Sequence, residues 1–424
     1  MVRPPAPQAL DSIDFTRLAR PGDGVVIAQF TSEPLDLAER FYATPDLPAL
    51  DVFIGANMSG SMLEARAPRL RFTAYGAMLR TAELVRRDAL TVLPLHYSRI
   101  GAAFAAGQVR ADLVMMQAAR DPASGRLFVG ATHGYMVDAA RCARVLLVEV
   151  NARAPVVRGG ELPDDLRIHH LVESDRPLPI LIDKPPSAVE TSIAGHAASV
   201  ISDGATVQIG IGSLPHALLK ALGDHRDLGF HSGMLTDEVM HLMQAGVINN
   251  RRKTIDRGIS VGGALVGSAA LYAFGHDNPA VKLATATYTH AREVLARIDR
   301  LVTLNSVIEV DLMGRVNSQR AGGRPMGGIG GLADFARGAR AAREGKSIIA
   351  LPSTARGGAV SRIVAQLEGP ATLGEDDADI VATEWGVAHL RDQPIAQRVR
   401  QLVAVAHPAH RDALQAAARQ AGWA

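Results

Sequence analysis

The chain has 424 residues, of which 47% are hydrophobic and 21% charged, and this mix excludes intrinsic disorder as its general state. Its 45 Lys and Arg against 43 Asp and Glu leave a net charge of +2, with no clustered basic face of the kind a nucleic-acid binder carries. The single cysteine, Cys142, excludes an intrachain disulfide and fits a reducing cytoplasm, while 40 glycines without a Gly-X-Y period demand local explanations.

The N-terminus, MVRPPAPQALDSIDF, lacks a charged start followed by an apolar run, so no secretory signal is expected. No stretch of about 18 apolar residues occurs, so no membrane span is expected either. Val- and Ile-rich runs at 24–30, 90–95, 111–117, 144–150, 205–211, 346–352 and 378–383 predict buried strands. They do not alternate in and out, as expected of parallel strands covered on both faces. Amphipathic segments such as 187–201 and 391–403 lie between them, which argues for α/β architecture. Pro185 and Pro186 interrupt both ladder and helix, and Ser187 with Glu190 forms a capping box that opens the next helix. These residues predict a linker near 178–188, dividing the chain into domains 1–183 and 184–424. The segments 21–41 and 203–222 share a pattern of acidic-Gly turn, Val/Ile strand, polar loop ending in Pro, and Leu-rich helix. That echo points to two tandem copies of one α/β fold.

Three segments bear chemistry. In QIGIGSLPHALLKAL (208–222) a strand ends in Gly210-Ile211-Gly212, and a helix starts near Ser213 to Pro215. Free N–H groups at such a start favour an anion, but Pro215 replaces the third glycine of a dinucleotide fingerprint. In RAGGRPMGGIGGLADFARGAR (320–340), Gly327, Gly328, Gly330 and Gly331 precede a helical pattern. Their N–H groups can form an anion nest or an oxyanion hole, whereas a mobile surface loop is the plainer alternative. In LGFHSGMLTDEVMHLMQAGVI (228–248), His231 and Ser232 are chain neighbours on an extended segment. Their side chains point to opposite faces, so His231 does not serve Ser232 as a base. His407 and His410 are spaced three apart with no third ligand nearby, so no metal is expected.

Taken in order, QIGIGSLP, LGFHSGM, NSVIEVDLMGRVNS (305–318), GGIGGLADFARGA (327–339), GKSIIALPST (345–354), VATEWGVAHLR (381–391) and VAHPAHR (405–411) resemble the acetyl-CoA hydrolase/4-hydroxybutyrate CoA-transferase family, within the class I CoA-transferase superfamily. The first half matches more loosely, through GDGVVIAQFTSEP and VEVNARAP (148–155). The resemblance implies two tandem α/β domains of related CoA-transferase fold with acyl-CoA in the cleft between them. It implies a glutamate that attacks a thioester, and an enzyme–CoA thioester intermediate. Coenzyme A is then a co-substrate, with no permanently bound cofactor and no metal. The partners are an acyl-CoA and a small carboxylic acid, with neither nucleic acid nor membrane, and the protein is expected to be a cytoplasmic homodimer or higher homo-oligomer.

The resemblance also assigns CoA contacts to Gly210, Ile211, Gly212, Ser213, Leu214, Asn305 and Ser306. Oxyanion or CoA contacts fall on Gly327, Gly328, Gly330 and Gly331, and a substrate pocket on His231, Ser232 and Gly233. One departure matters most. The family's usual nucleophile lies in His-Ser/Thr-Glu-Met, and this chain reads His231-Ser232-Gly233-Met234. Glu238, five residues on, is rotated by about 140° on a helix and is no obvious substitute. Glu64, in the Gly/Ser-rich stretch NMSGSMLEARAPRLRF, is the candidate carboxylate, although it equally reads as an exposed Glu beside Arg66 and Arg69. Transfer of CoA through Glu64, hydrolysis of acyl-CoA by an activated water, and binding without chemistry all stay open. Met58, Met62 and Phe30 either line a small apolar pocket or belong to the core. Leu332 stands where the family often has Gln, beside the presumed oxyanion loop.

Overall fold

The structure, a computed structural model, describes residues 4–182, 184–210 and 212–423. The chain divides into two compact units. The first holds the residues up to Leu181 together with 234–237 and 261–289, and the second holds 182–233, 238–260 and the residues from His290 onward. The division is therefore not a single cut near 183. Backbone pairing is the reason: the N–H of Leu265 donates to Ala131 O at 2.7 Å and that of Ala286 to Gly134 O at 2.8 Å.

The first unit is built on an eight-stranded sheet. Its strands are β1 (Gly24–Ile27), β2 (Leu50–Ile54), β3 (Leu70–Ala74), β4 (Leu90–Val92), β5 (Leu113–Arg120), β6 (Leu127–Phe128), β7 (Val145–Asn151) and β8 (His170–Ser174). The order is β4-β3-β2-β1-β5-β7-β8, all parallel, with β6 antiparallel beside β5. Val25, Val26 and Ile27 are buried because β1 is central and covered on both faces. Helix Leu35–Tyr42 lays Leu37, Ala38, Phe41 and Tyr42 into a core shared with Phe15 and Val52. The strand order reverses at β1 and β5, which makes their carboxyl ends a topological switch point.

The second unit repeats the scheme. Its sheet contains β9 (Thr206–Ile209), β10 (Gly229–Phe230), β11 (Leu301–Ser306), β12 (Lys346–Ala350), β13 (Ile380–Thr383) and β14 (Gly386–His389) in the order β10-β9-β11-β12-β13-β14. Only β13 and β14 run antiparallel. The capping box is present: the Glu190 N–H donates to Ser187 Oγ at 3.2 Å, and the Ser187 N–H donates to Glu190 Oε2 at 2.8 Å. Helix Ala188–Ala198 starts there. Here the switch point falls between β9 and β11. The two echoed segments thus supply the switch-point strand of each unit, β1 and β9. No helix among the described residues is long and apolar enough to cross a membrane.

Candidate functional site

The carboxyl ends of β9, β10 and β11 bring several of the singled-out residues together. Gly210 follows β9, its N–H donating to Leu304 O at 3.3 Å, and Gly212 takes φ 122° as the cap of helix Ser213–Ala221. That φ favours glycine. Ile211 lies outside the described residues. Asn305, at the end of β11, is 9% exposed and pairs its amide with that of Gln208 in both directions, at 3.2 and 3.3 Å. Ser306 is exposed and Leu214 buried. Ser213 Oγ donates to Glu190 Oε1, so the capping box of one helix also holds the first residue of the next.

His231, Ser232 and Gly233 follow β10 on the other side of β9. Both His231 and Ser232 are fully buried. Ser232 Oγ donates to Ile209 O at 2.9 Å and accepts from the Ile209 N–H at 3.4 Å, a structural use of the hydroxyl. A Cβ on Gly233 would stand 3.0 Å from His290 Cε1 and 3.2 Å from its Nε2. His290 carries no sequence signal, since THAREV matches no motif. Burial, and after it the nearby His231, pushes its pKa down to about 3.

The glycine-rich segment adjoins the same histidine. A Cβ on Gly331 would stand 2.6 Å from His290 Nε2. Gly331 caps helix Leu332–Ala341, and Gly330 takes φ 51°. The Gly328 carbonyl accepts from Ser318 Oγ at 3.1 Å, and the Gly327 N–H donates to Gln319 O at 3.3 Å. Gly328 and Gly330 each sit in an isolated β-bridge. Gly331 places the start of a helix beside them, where backbone N–H groups favour a negatively charged oxygen. A cavity of about 760 Å³ in this unit is lined by Arg320, Arg356 and Arg362 together with Glu309 and Glu368, and Arg362 donates to the carbonyls of Ile308 and Val307. Leu332 packs into the core with Val307 and Ile349, so its side chain is not turned toward a ligand.

Other polar residues hold loops. Asp311 accepts from the N–H groups of Met313 and Arg315 at 3.1 and 2.9 Å, and Glu384 accepts from the Ser353 N–H at 2.8 Å. Glu238 Oε2 lies 3.8 Å from His216 Nδ1 and 3.7 Å from His241 Nδ1. His407 Nδ1 accepts from the Ala409 N–H at 3.2 Å, capping helix Pro408–Gln420, and His410 Nε2 lies 2.9 Å from Gly358 O. Among the described residues no group of three His, Cys, Asp or Glu could hold a metal ion.

In the first unit, Glu64 ends the 3-10 turn Ser61–Glu64 and is exposed. Met62 beneath it is core, and Phe30 is 6% exposed with φ 51° at the end of β1. The turn leading to Glu64 is fixed by a carboxylate that the sequence did not single out. Glu33 is fully buried. It accepts from Asn57 Nδ2 at 2.5 Å, Ser59 Oγ at 2.7 Å, Ser61 Oγ at 3.0 Å and the Ser59 N–H at 3.2 Å. Burial raises its pKa, and these hydrogen bonds oppose the rise. The only sequence signal for Glu33 is its place just past β1, at the switch point.

Comparison with known proteins bears on these features. The acetyl-CoA hydrolase/transferase C-terminal domain model matches residues 267–418. The 4-hydroxybutyrate coenzyme A transferase of Clostridium kluyveri is 34% identical over 395 residues, covering 92% of each chain. Among solved structures, RipA from Yersinia pestis superposes with a TM-score of 0.90 at 28% identity, over 96% of both chains. A 4-hydroxybutyrate CoA-transferase from Porphyromonas gingivalis does so with a TM-score of 0.79 at 31% identity, over 96% of this chain and 95% of that one. Since the likeness to the Clostridium protein covers 92% of each chain, this chain belongs to the acetyl-CoA hydrolase/CoA-transferase family.

Proposed function

We propose that this protein moves CoA between a short-chain acyl-CoA and a carboxylic acid through a glutamyl-CoA thioester on Glu64. The observation that carries the reading is the pair of glycine turns at the switch point of the second unit, 210–214 and 327–331. The second of these leads into the start of helix Leu332–Ala341, where backbone N–H groups favour a negatively charged oxygen. Gly210, Gly212, Ser213, Leu214, Asn305 and Ser306 receive the CoA arm, and Ile211 belongs to the same turn by sequence. Gly327, Gly328, Gly330 and Gly331 supply backbone donors to oxyanions. His231, Ser232 and Gly233 border the acyl group.

The chemistry needs a carboxylate, and position 233 has none. Glu64 is favoured because it is exposed and because Glu33, Asn57, Ser59 and Ser61 hold the turn that presents it. A Glu64 oxygen attacks the thioester carbon, the C–S bond breaks, and CoA leaves as thiolate, giving a mixed anhydride. The thiolate then attacks the glutamyl carbon and releases the acyl group as its acid. The acceptor acid reverses both steps and leaves with CoA.

Incubation with an acyl-CoA, followed by borohydride reduction and peptide mass mapping, tests this. A reduced modification on Glu64, and loss of transfer in Glu64→Gln, are expected. Unchanged transfer in that variant removes Glu64 from the mechanism. CoA release that needs no acceptor acid identifies a hydrolase instead, and tight binding without turnover identifies a binder.

A further inference from the structure

Four parallel strands of the second sheet begin side by side, with Leu301 opposite Thr206, Val302 opposite Lys346 and Ile348 opposite Ile380. Residues at these amino ends line a cavity of about 480 Å³, whereas the glycine turns described above follow the carboxyl ends. The charged lining is Arg300, Lys346 and Arg391 against Glu344 and Asp379, with His389 beside them. Asp379 is 2% exposed and already matched: it accepts from Arg391 Nε at 2.7 Å, from Arg340 at 3.1 Å and from the Ser347 N–H at 2.8 Å. Glu344 is exposed and lies 3.5 Å from Arg343. Arg300 and Lys346 are both half-buried, and neither pairs with a carboxylate among the described residues. Lys346 Nζ donates to Val200 O at 2.8 Å, which leaves two of its three N–H bonds. Arg300 takes φ 52°, a conformation in which a side chain is strained. Its backbone is pinned there, the N–H donating to Arg343 O at 2.8 Å and the carbonyl accepting from the Thr206 N–H at 3.0 Å. A long cation on a strained, fixed backbone thus shares a cavity with a second cation whose charge is unmatched.

We propose that this cavity binds a small dianion, a phosphate or dicarboxylate ligand, between Arg300 and Lys346. The site lies at the opposite end of the strands from the turns proposed to receive CoA, and it does not rest on the CoA-transferase reading. The Arg300 guanidinium offers a planar fork that two oxygens of one carboxylate or phosphate match, and the Lys346 ammonium adds a point charge. Half-burial lowers the local dielectric, so each attraction is stronger than it would be in open water. Two such cations favour a ligand with two charges over a ligand with one. His389, exposed at the rim, supplies a further polar contact. A bound dianion would bridge the amino ends of β11 and β12. No covalent bond is made or broken.

The test titrates the full chain with inorganic phosphate, succinate and acetate at constant ionic strength and about pH 8, where the first two carry two charges. Calorimetry measures binding, and hydrogen exchange with mass spectrometry maps it. Phosphate or succinate is expected to bind at least about tenfold more tightly than acetate and to slow exchange around 298–301 and 343–346. The double variant Arg300→Gln, Lys346→Gln should lose about tenfold or more of that affinity, with each single variant between. Arg356→Gln removes one positive charge from the other cavity of this unit and should bind as the wild type does. Melting curves check that each variant is folded. Tighter binding of phosphate assigns the site to a phosphate monoester, and tighter binding of succinate assigns it to a dicarboxylate. Undiminished affinity in the folded double variant, protection confined to other segments, acetate binding as tightly as the dianions, or no binding by the wild type at millimolar concentrations overturns the proposal.

Discussion

Two carboxyl groups of the first unit, Glu33 and Glu149, are fully buried and serve different ends. Glu33 is met by four donors and fixes the turn before Glu64. Glu149, on β7, accepts the Leu37 N–H at 3.0 Å and so caps helix Leu35–Tyr42 from a neighbouring strand. Burial, assisted by the charge of Asp36, pushes its pKa up to about 7 from an ordinary 4.5, against the pull of that N–H. A raised folded-state pKa means that the native protein keeps a proton the unfolded chain gives up. The stabilisation is complete below about pH 4.5 and is lost as pH rises through about 7, a span worth on the order of 3 kcal/mol. Glu149→Gln is therefore expected to flatten the stability profile between pH 5 and 8. Denaturant melts at both ends of that range check this, and an unchanged slope would remove Glu149 as its source.

At the scale of elements, what could be read from the sequence depended on burial. The runs at 24–30, 111–117 and 346–352 were legible because both faces of their strands are covered, so most of their side chains are apolar. Strands β3 and β8 were not legible. LRFTA carries Arg71, which pairs with Asp51 at 2.7 Å, and β8 is an edge strand that exposes Glu173. In the site, the turns at 210–214 and 327–331 announced themselves by glycine, and Glu190 by its capping spacing. His290 could not, since its placement depends on glycines distant in sequence. The capping box also reaches the site, because Glu190 accepts from both Ser187 and Ser213. Glu190→Ala should therefore do more than remove a cap at a cost of about 1 kcal/mol. It frees Ser213 at the start of the turn proposed to receive CoA. We expect KM for acyl-CoA to rise several-fold with kcat nearly unchanged, whereas Ser187→Ala should lower stability alone. Equal kinetics in the two variants would leave Glu190 a cap and nothing more.

For the whole molecule, the sheets follow the two-copy pattern of the sequence, but the chain does not simply finish one unit before starting the next. Segments 234–237 and 261–289 return to the first unit after much of the second has been laid down. They bring Leu235, Leu265, Leu271, Val281 and Leu283, all buried to 1% exposure or less. Backbone pairs fasten them: Leu235 N–H to Ala264 O at 2.8 Å, Leu265 N–H to Ala131 O at 2.7 Å, and Leu283 N–H to Arg158 O at 2.9 Å. A fragment comprising residues 1–183 would contain all eight strands of the first sheet yet lose these apolar side chains and leave main-chain acceptors at Ala131, Gly134 and Arg158 without their donors. Each fully buried Leu or Val is worth roughly 1.5–3 kcal/mol, so the loss is comparable to the whole stability of a domain. The fragment is expected to lack a cooperative thermal transition and to bind a hydrophobic dye. Appending residues 261–289 through a flexible linker should restore the transition, because those residues belong to the first unit's core wherever they fall in the sequence. A sharp calorimetric transition in the 1–183 fragment alone would mean that the returning segments decorate the first unit and do not complete it.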